Sequence, residues 1–213
     1  MLVIGITGGI GSGKSLITDI MKNEHGARII DTDTVAHELM EPGMPSYNGI
    51  VKAFGGDILD ENKSIDREKL GGIVFGDKEK LKLLDDITHP AVRDEVEKRI
   101  EIYRAEGAPY TLVETALLIE AGYSEFCDRV WYVHADREIR FKRLYESRGM
   151  DKEKAVSIME KQQKEDAFIK ISDDVIENST TKGEVKKQIE KILDKYVCLR
   201  GKMKTGRKIV NFT

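Results

Sequence analysis

Gly8-Gly9-Ile10-Gly11-Ser12-Gly13-Lys14-Ser15 decides how this chain is read. The stretch fits the Gly-x-x-x-x-Gly-Lys-Ser phosphate-loop pattern in full. Upstream, Leu2-Val3-Ile4-Gly5-Ile6 is a continuous apolar run of the kind that forms a parallel strand buried on both faces. Downstream, Leu16, Ile17, Ile20 and Met21 recur at helical spacing, which predicts a helix over 14–24. A strand, a glycine loop and a helix in that order have a physical use. Glycines let successive backbone N–H groups turn inward around an anion. The helix N-terminus adds its positive dipole end and its unpaired donors. In that frame Gly8, Gly9, Gly11, Ser12 and Gly13 shape the cradle, and Lys14 reaches the β- and γ-phosphates of a nucleoside triphosphate. The Ser15 hydroxyl can ligate Mg²⁺. The competing reading is a glycine turn without a ligand, and the Lys-Ser ending argues against it.

A second strand, Ala27-Arg28-Ile29-Ile30, runs directly into Asp31-Thr32-Asp33 and completes a βαβ unit. The acids thus fall at the C-terminal end of a strand, where open α/β sheets place their ligand crevice. Alternate residues of an extended segment point the same way. One carboxylate can therefore face the cleft while its neighbour organises the turn or a metal shell. An acceptor hydroxyl needs a base near the γ-phosphate, and Asp33 can serve. The plainer reading is a cap for a helix over 34–40.

Residues 42–106 carry helical signals and no confident strand. Pro42-Gly43-Met44-Pro45 marks a break before them. Asp66 can cap a helix through about 75, and Asp77 can cap another. His89-Pro90 is expected to interrupt that second helix, with helix resuming over 91–105. Strands return at Tyr110-Thr111-Leu112-Val113 and Arg129-Val130-Trp131-Tyr132-Val133. Asp136 is expected to cap a helix through about 145, and Asp151 to begin another through about 164. Val175-Ile176 is a last short strand, and 183–196 an amphipathic helix with Val185, Ile189, Ile192 and Leu193 on one face.

The fold expected is α/β, a parallel five-stranded sheet flanked by helices, with a helical insertion and a lid. Core segments span 1–41, 107–140 and 172–198. The helical, acceptor-binding insertion spans 42–106, the lid region 141–171 and a basic tail 199–213. Arg140, Lys142, Arg143 and Arg148 cluster at one helix end, where cations can offset charge on a phosphoryl group in transfer. A solvated helix face is the plainer reading. Gly149 offers a hinge.

Composition narrows the class further. At 213 residues the chain suits one α/β domain with a modest insertion, and 40% hydrophobic residues are too many for a disordered chain. The net charge of -3 calls for neither nucleic acid nor an anionic membrane as partner. Cys127 and Cys198 lie far apart and form no CxxC pair, so neither a disulfide framework nor a zinc site is expected. Apolar runs are too short for a membrane span, and the N-terminus enters a strand without a signal-peptide pattern, so a cytoplasmic location is expected. Arg200, Lys202, Lys204, Arg207 and Lys208 make the tail basic. A solvated, loosely packed terminus is the reading adopted there.

The loop alone leaves three classes open: a small-molecule kinase, a hydrolysing switch or ATPase, and a nucleotide-sensing regulator. No Asn-Lys-x-Asp guanine-reading segment appears. The ordered motifs resemble the dephospho-CoA kinase family. Ile6 to Ser15 resembles that family's phosphate loop, and Asp31-Thr32-Asp33-Thr34-Val35-Ala36-His37-Glu38-Leu39 its Asp-x-Asp segment. Thr88-His89-Pro90 resembles its His-Pro site. Leu117-Leu118-Ile119-Glu120 resembles the segment after its third strand, with Ala116 and Ile119 in place of a proline and an aromatic. Arg143-Leu144 and Arg148 match its basic lid, Gln162 a glutamine later in the lid, and Asp174-Val175-Ile176-Glu177-Asn178 its adenine-side motif.

The resemblance implies ATP-dependent phosphorylation of the ribose 3′-hydroxyl of dephospho-CoA, the last step of coenzyme A synthesis. By it, Asp33 is the base, and residues from Gly11 to Lys14, Ser15 and the Leu16 amide hold the ATP phosphates. Arg143 and Arg148 close over the transferring group, Asn178 lies at the adenine, and His89 and Leu117 belong to the acceptor side. The rivals are a nucleoside, nucleotide or shikimate-type kinase and, from another class, a nucleotide-dependent switch.

Overall fold

The computed structural model describes residues 1–115, 118, 122–162 and 164–204. Five strands form one sheet in the order β2-β3-β1-β4-β5. They are β1 (Leu2–Thr7), β2 (Arg28–Asp31), β3 (Tyr110–Glu114), β4 (Arg129–His134) and β5 (Asp174–Glu177). The pairs β1/β3, β2/β3 and β4/β5 are parallel. The expected parallel five-stranded sheet flanked by helices is thus the observed one. The chain divides into two compact units. One holds Met1–Ile6 and Met21–Arg129; the other holds Thr7–Ile20 and the chain from Val130 onward.

In the first unit, β2 and β3 run in register from Arg28↔Thr111 to Asp31↔Glu114, so two acids end neighbouring strands. Helix α2 (Thr32–Leu39) follows β2 at once. Helix α3 (Pro45–Phe54) begins with proline at its first position, where the missing N–H costs nothing. Helix α4 (Arg67–Val74) and helix α5 (Lys78–Ala105) are capped as expected by Asp66 and Asp77, each accepting two first-turn N–H groups. Ile50, Ile58, Leu70 and Val74 make a buried cluster under these helices.

The expected break at His89-Pro90 does not occur. Helix α5 runs unbroken for 28 residues with Pro90 inside it. An interior proline costs a helix about 3 kcal/mol. Val92, Val96 and Ile100 lie buried on the following turns. At about 1.5–3 kcal/mol for each buried aliphatic side chain, packing outweighs the proline.

The second unit contains helix α1 (Lys14–His25) in part, β4, β5 and four further helices. These are α6 (Arg137–Arg148), α7 (Lys152–Lys161), α8 (Glu165–Ile171) and α9 (Lys182–Lys204). Trp131 is fully buried in β4, and its indole N–H donates to the Tyr196 hydroxyl at 2.9 Å. Three sequence expectations change here. Asp136 precedes α6 without a side-chain cap; its backbone N–H donates instead to Ser179 Oγ at 2.8 Å. Helix α7 stops at Lys161, and α8 is a separate seven-residue helix that buries Phe168. Two turns are too short for a periodic signal. Helix α9 extends to Lys204, past the 196 expected, because its added residues are mostly good helix formers. The remainder of the basic tail lies outside the described residues. Among the described residues no helix is long and apolar enough to cross a membrane.

Candidate active site

Residues 8–13 link β1 to α1. Gly11 and Gly13 have φ of 76° and 84°, a region that favours glycine. Space demands glycine as well. A Cβ on Gly13 would sit 2.3 Å from Asn178 Nδ2, and one on Gly8 2.6 Å from the Val133 carbonyl oxygen. Two tight turns shape the loop: Ser12 N–H donates to Gly9 O and Leu16 N–H to Gly13 O, each at 3.0 Å. Lys14 Nζ donates to Gly8 O at 3.1 Å, which folds the side chain back along the loop.

Side chains from β5, α6 and the α7–α8 connection brace this loop. Asn178 is fully buried; its Nδ2 donates to Ser12 O at 2.7 Å and to Gly13 O at 3.4 Å. Arg143 donates through Nη1 to Ser12 O at 3.2 Å and through Nη2 to Asn178 O at 2.7 Å. Arg140 Nε donates to Ile10 O at 2.8 Å. Gln162 Oε1 accepts from Ile10 N–H at 3.0 Å. Asn178 is itself fixed by its N–H to His134 O at 2.8 Å. One residue back, Glu177 accepts from Ser179 N–H at 2.8 Å and pairs with His134 Nδ1. Burial opposes ionisation of Glu177, but the Ser179 and His134 bonds outweigh it and hold the carboxyl below its usual range.

This cradle suits a polyphosphate. A glycine loop held by braces on its carbonyls leads into a helix N-terminus, whose dipole and first-turn donors favour an anion. Among the described residues, buried Ser12 Oγ and Thr7 Oγ1 have no hydrogen-bond partner, which buried polar groups rarely tolerate. The Ser15 hydroxyl is exposed on the first turn of α1 and, among the described residues, makes no side-chain hydrogen bond. One free hydroxyl fits what Mg²⁺ takes from a protein when phosphates and water supply its other ligands. Among the described residues no cluster of His, Cys, Asp and Glu forms a metal site by itself.

The acid pair belongs to the first unit, and its local structure differs from the extended segment expected. Helix begins at Thr32, so Asp31 is the cap and Asp33 lies in the first turn. Asp31 Oδ1 accepts from Asp33 N–H at 2.9 Å and Thr34 N–H at 3.4 Å, and its Oδ2 from the Thr34 hydroxyl at 3.1 Å. Asp31 is therefore occupied by its own turn. Asp33 is exposed and, among the described residues, its carboxylate has no hydrogen-bond or ion-pair partner. Its charge reaches Tyr123, whose hydroxyl is pushed up to about 12 by burial and then by Asp33.

Other site candidates fall as follows. His89 is half-buried on α5 and pairs with Asp85 at 3.6 Å. Arg148 ends α6, exposed and without a hydrogen-bond partner among the described residues. Leu117, with Ala116, Ile119 and Glu120, lies outside the described residues. Sequence reading left one feature of the second unit unassigned. A cavity of about 320 Å³ is lined by Gly9, Arg140, Gln162, Lys164 and the stacked rings of Tyr132 and Phe168, whose centroids are 5.5 Å apart. Arg140 had a signal in the basic cluster. Phe168 had none, because α8 itself was not legible.

Comparison with known proteins sets this geometry in a family. The dephospho-CoA kinase family model matches residues 2–184. A dephospho-CoA kinase of Carboxydothermus hydrogenoformans is 39% identical over 194 residues, covering 91% of this chain and 94% of that protein. A solved structure from Thermus thermophilus superposes with a TM-score of 0.78 at 27% identity, covering 91% of this chain and 97% of the other. The dephospho-CoA kinase of Campylobacter jejuni gives a TM-score of 0.60 at 25% identity, covering 91% and 96%.

Proposed function

Because the chain belongs to the dephospho-CoA kinase family, we infer that it transfers the γ-phosphoryl group of ATP to the ribose 3′-hydroxyl of dephospho-CoA. The products are coenzyme A and ADP, which makes this the last step of coenzyme A synthesis. The observation that carries the reading is the family match over 2–184, which includes the phosphate loop, Asp33 and Asn178.

In this reading the loop amides, with Lys14 and the Leu16 amide, hold the donor phosphates, and Asn178 stands on the adenine side. Ser15 would hold Mg²⁺, which offsets charge on the β- and γ-phosphates when bound. Asp33 takes the proton of the acceptor hydroxyl as it attacks phosphorus. Its exposed, unpartnered carboxylate suits that role, because a base committed to a cap or an ion pair would have to break it first. Arg148, in the lid region 141–171, closes over the transferring group, and Arg143 joins it on releasing the Ser12 and Asn178 carbonyls. His89 and Leu117 serve the acceptor, which the helical segment 42–106 receives. Closure excludes water, whose attack would waste ATP. The substrates are small polar metabolites, so the reading takes a cytoplasmic enzyme that needs no nucleic acid.

Incubation with MgATP and dephospho-CoA, with a nucleoside and shikimate as control acceptors, tests the reading. Coenzyme A forms with the first acceptor alone. Phosphorylation of a control acceptor without any coenzyme A would overturn it.

A further inference from the structure

Arg140 stands apart from the other arginines of α6. Its Nε is held by Ile10 O, which fixes the plane of the guanidinium. The Nη edge lies against Gly9: a Cβ there would be 2.4 Å from Nη2 and 3.1 Å from Nη1. Among the described residues neither Nη group has a hydrogen-bond or ion-pair partner. Burial pulls the guanidinium below its ordinary pKa, against the opposing pull of Tyr132 and Glu165. Arg140 lines the cavity of about 320 Å³ beside the loop. Glu165 also lines that cavity, but its Oε1 faces His134 Nε2 at 3.3 Å; Glu160 is exposed at the rim. Arg143, by contrast, spends both Nη groups on carbonyls.

We propose that Arg140 is a further catalytic residue, whose Nη fork binds the terminal phosphoryl oxygens of the donor at the Gly9 end of the loop. The position along the donor follows from the braces. Asn178 bonds Ser12 and Gly13, and the kinase reading puts the adenine on its side. Arg140 bonds Ile10 and covers Gly9, toward the other end. A nucleotide whose base begins at the first brace directs its last phosphate toward the second. A planar fork with two open N–H edges is the group that matches two phosphoryl oxygens. The proposal rests on the kinase reading only for the direction in which the donor lies.

The test is calorimetric titration of MgATP and MgADP into the wild type, R140Q and R140K, with turnover on dephospho-CoA measured alongside. R140Q should weaken ATP about tenfold, since a lost charge-assisted pair is about 1.4 kcal/mol or more, while ADP shifts less than about twofold. Equal loss for ATP and ADP would show a tether for Ile10 alone and overturn the proposal; so would no loss for either. Should melting show R140Q unfolded, R140K decides. A folded R140K with unchanged preference for ATP over ADP overturns the proposal, and a reduced preference supports it. The nucleotide arm needs no acceptor. A wild type inactive on dephospho-CoA, with R140Q still losing its ATP preference, would sink the acceptor reading and leave Arg140 in place.

Discussion

The unit around Thr7–Ile20 and the unit around Met21–Arg129 present their polar groups in opposite ways. Around Thr7–Ile20, in the second unit, side chains from distant segments converge on backbone atoms of one short loop: Asn178 and Arg143 on Ser12, Arg140 and Gln162 on Ile10. Around Met21–Arg129, in the first unit, the bonds of the acid pair are local, and Asp33 is exposed with no carboxylate partner among the described residues. Its larger ion pairs lie elsewhere, as in the Glu38–Arg99–Glu95 chain linking α2 to α5. The contrast fits two tasks. Phosphates of one constant shape call for a preorganised backbone cradle, whereas a proton acceptor must be free to change partners.

The sharpest way to break this division is Asp33→Asn. It should lower kcat by about 10²–10⁴ and leave the Kd for ATP within about twofold, measured by coupled assay and calorimetry. Near-normal turnover would remove Asp33 as the base. Next in size is Ile50→Ala, in the buried cluster of the first unit. It should cost about 2–5 kcal/mol in chemical denaturation. At temperatures where the protein stays folded, ATP affinity should hold, because that cluster includes none of the residues that brace the loop. A parallel loss of ATP affinity would show that the units do not act separately.

The same contrast explains what could be read from sequence. A cradle built from contiguous backbone leaves its glycines and its Lys-Ser ending in one string, so the loop was legible without coordinates. The caps at Asp66 and Asp77 were legible for the same reason: each bond spans two or three residues. Arg140 over Gly9 joins residues 131 positions apart, and nothing local announces it. Gln162 was noticed only as a family match; its bond to Ile10 spans 152 positions. The continuous α5 was misread because proline's local penalty was visible and the burial of Val92, Val96 and Ile100 was not. At Asp31-Thr32-Asp33 the residue types were informative and the conformation was not. Asp31 meets the cap reading, and Asp33 stays the candidate for the functional one.

Lys14→Ala is the next test in magnitude. Loss of charge-assisted bonds to phosphate, each about 1.5–3 kcal/mol, should weaken ATP by about 10- to 100-fold. Affinity for dephospho-CoA, measured without nucleotide, should not change. Weakening of both ligands would blur the division of labour drawn here.

The smallest effect expected is on the acid side. Glu177 ends β5 and builds the turn that carries Asn178. Its carboxylate accepts from Ser179 and pairs with His134, and its backbone exchanges bonds with the Gln188 side chain, each at 2.9 Å. Its folded pKa lies below the ordinary value despite burial. The stabilisation is therefore complete above the unfolded carboxyl pKa, about 4.3, and is lost as pH falls through the lower folded value. Glu95 in the first unit is also lowered, chiefly by its bond to Arg99. Both Glu177→Gln and Glu95→Gln should flatten the decline of melting temperature between about pH 5 and 3, by under about 1 kcal/mol each, since the pairs are partly solvated. They should part company in nucleotide binding. Glu177→Gln should make ATP affinity less sensitive to acid, because it alone shapes the turn that braces Ser12 and Gly13. If Glu95→Gln did the same, acid would be acting on the whole fold and the second unit would have no claim to its own pH response.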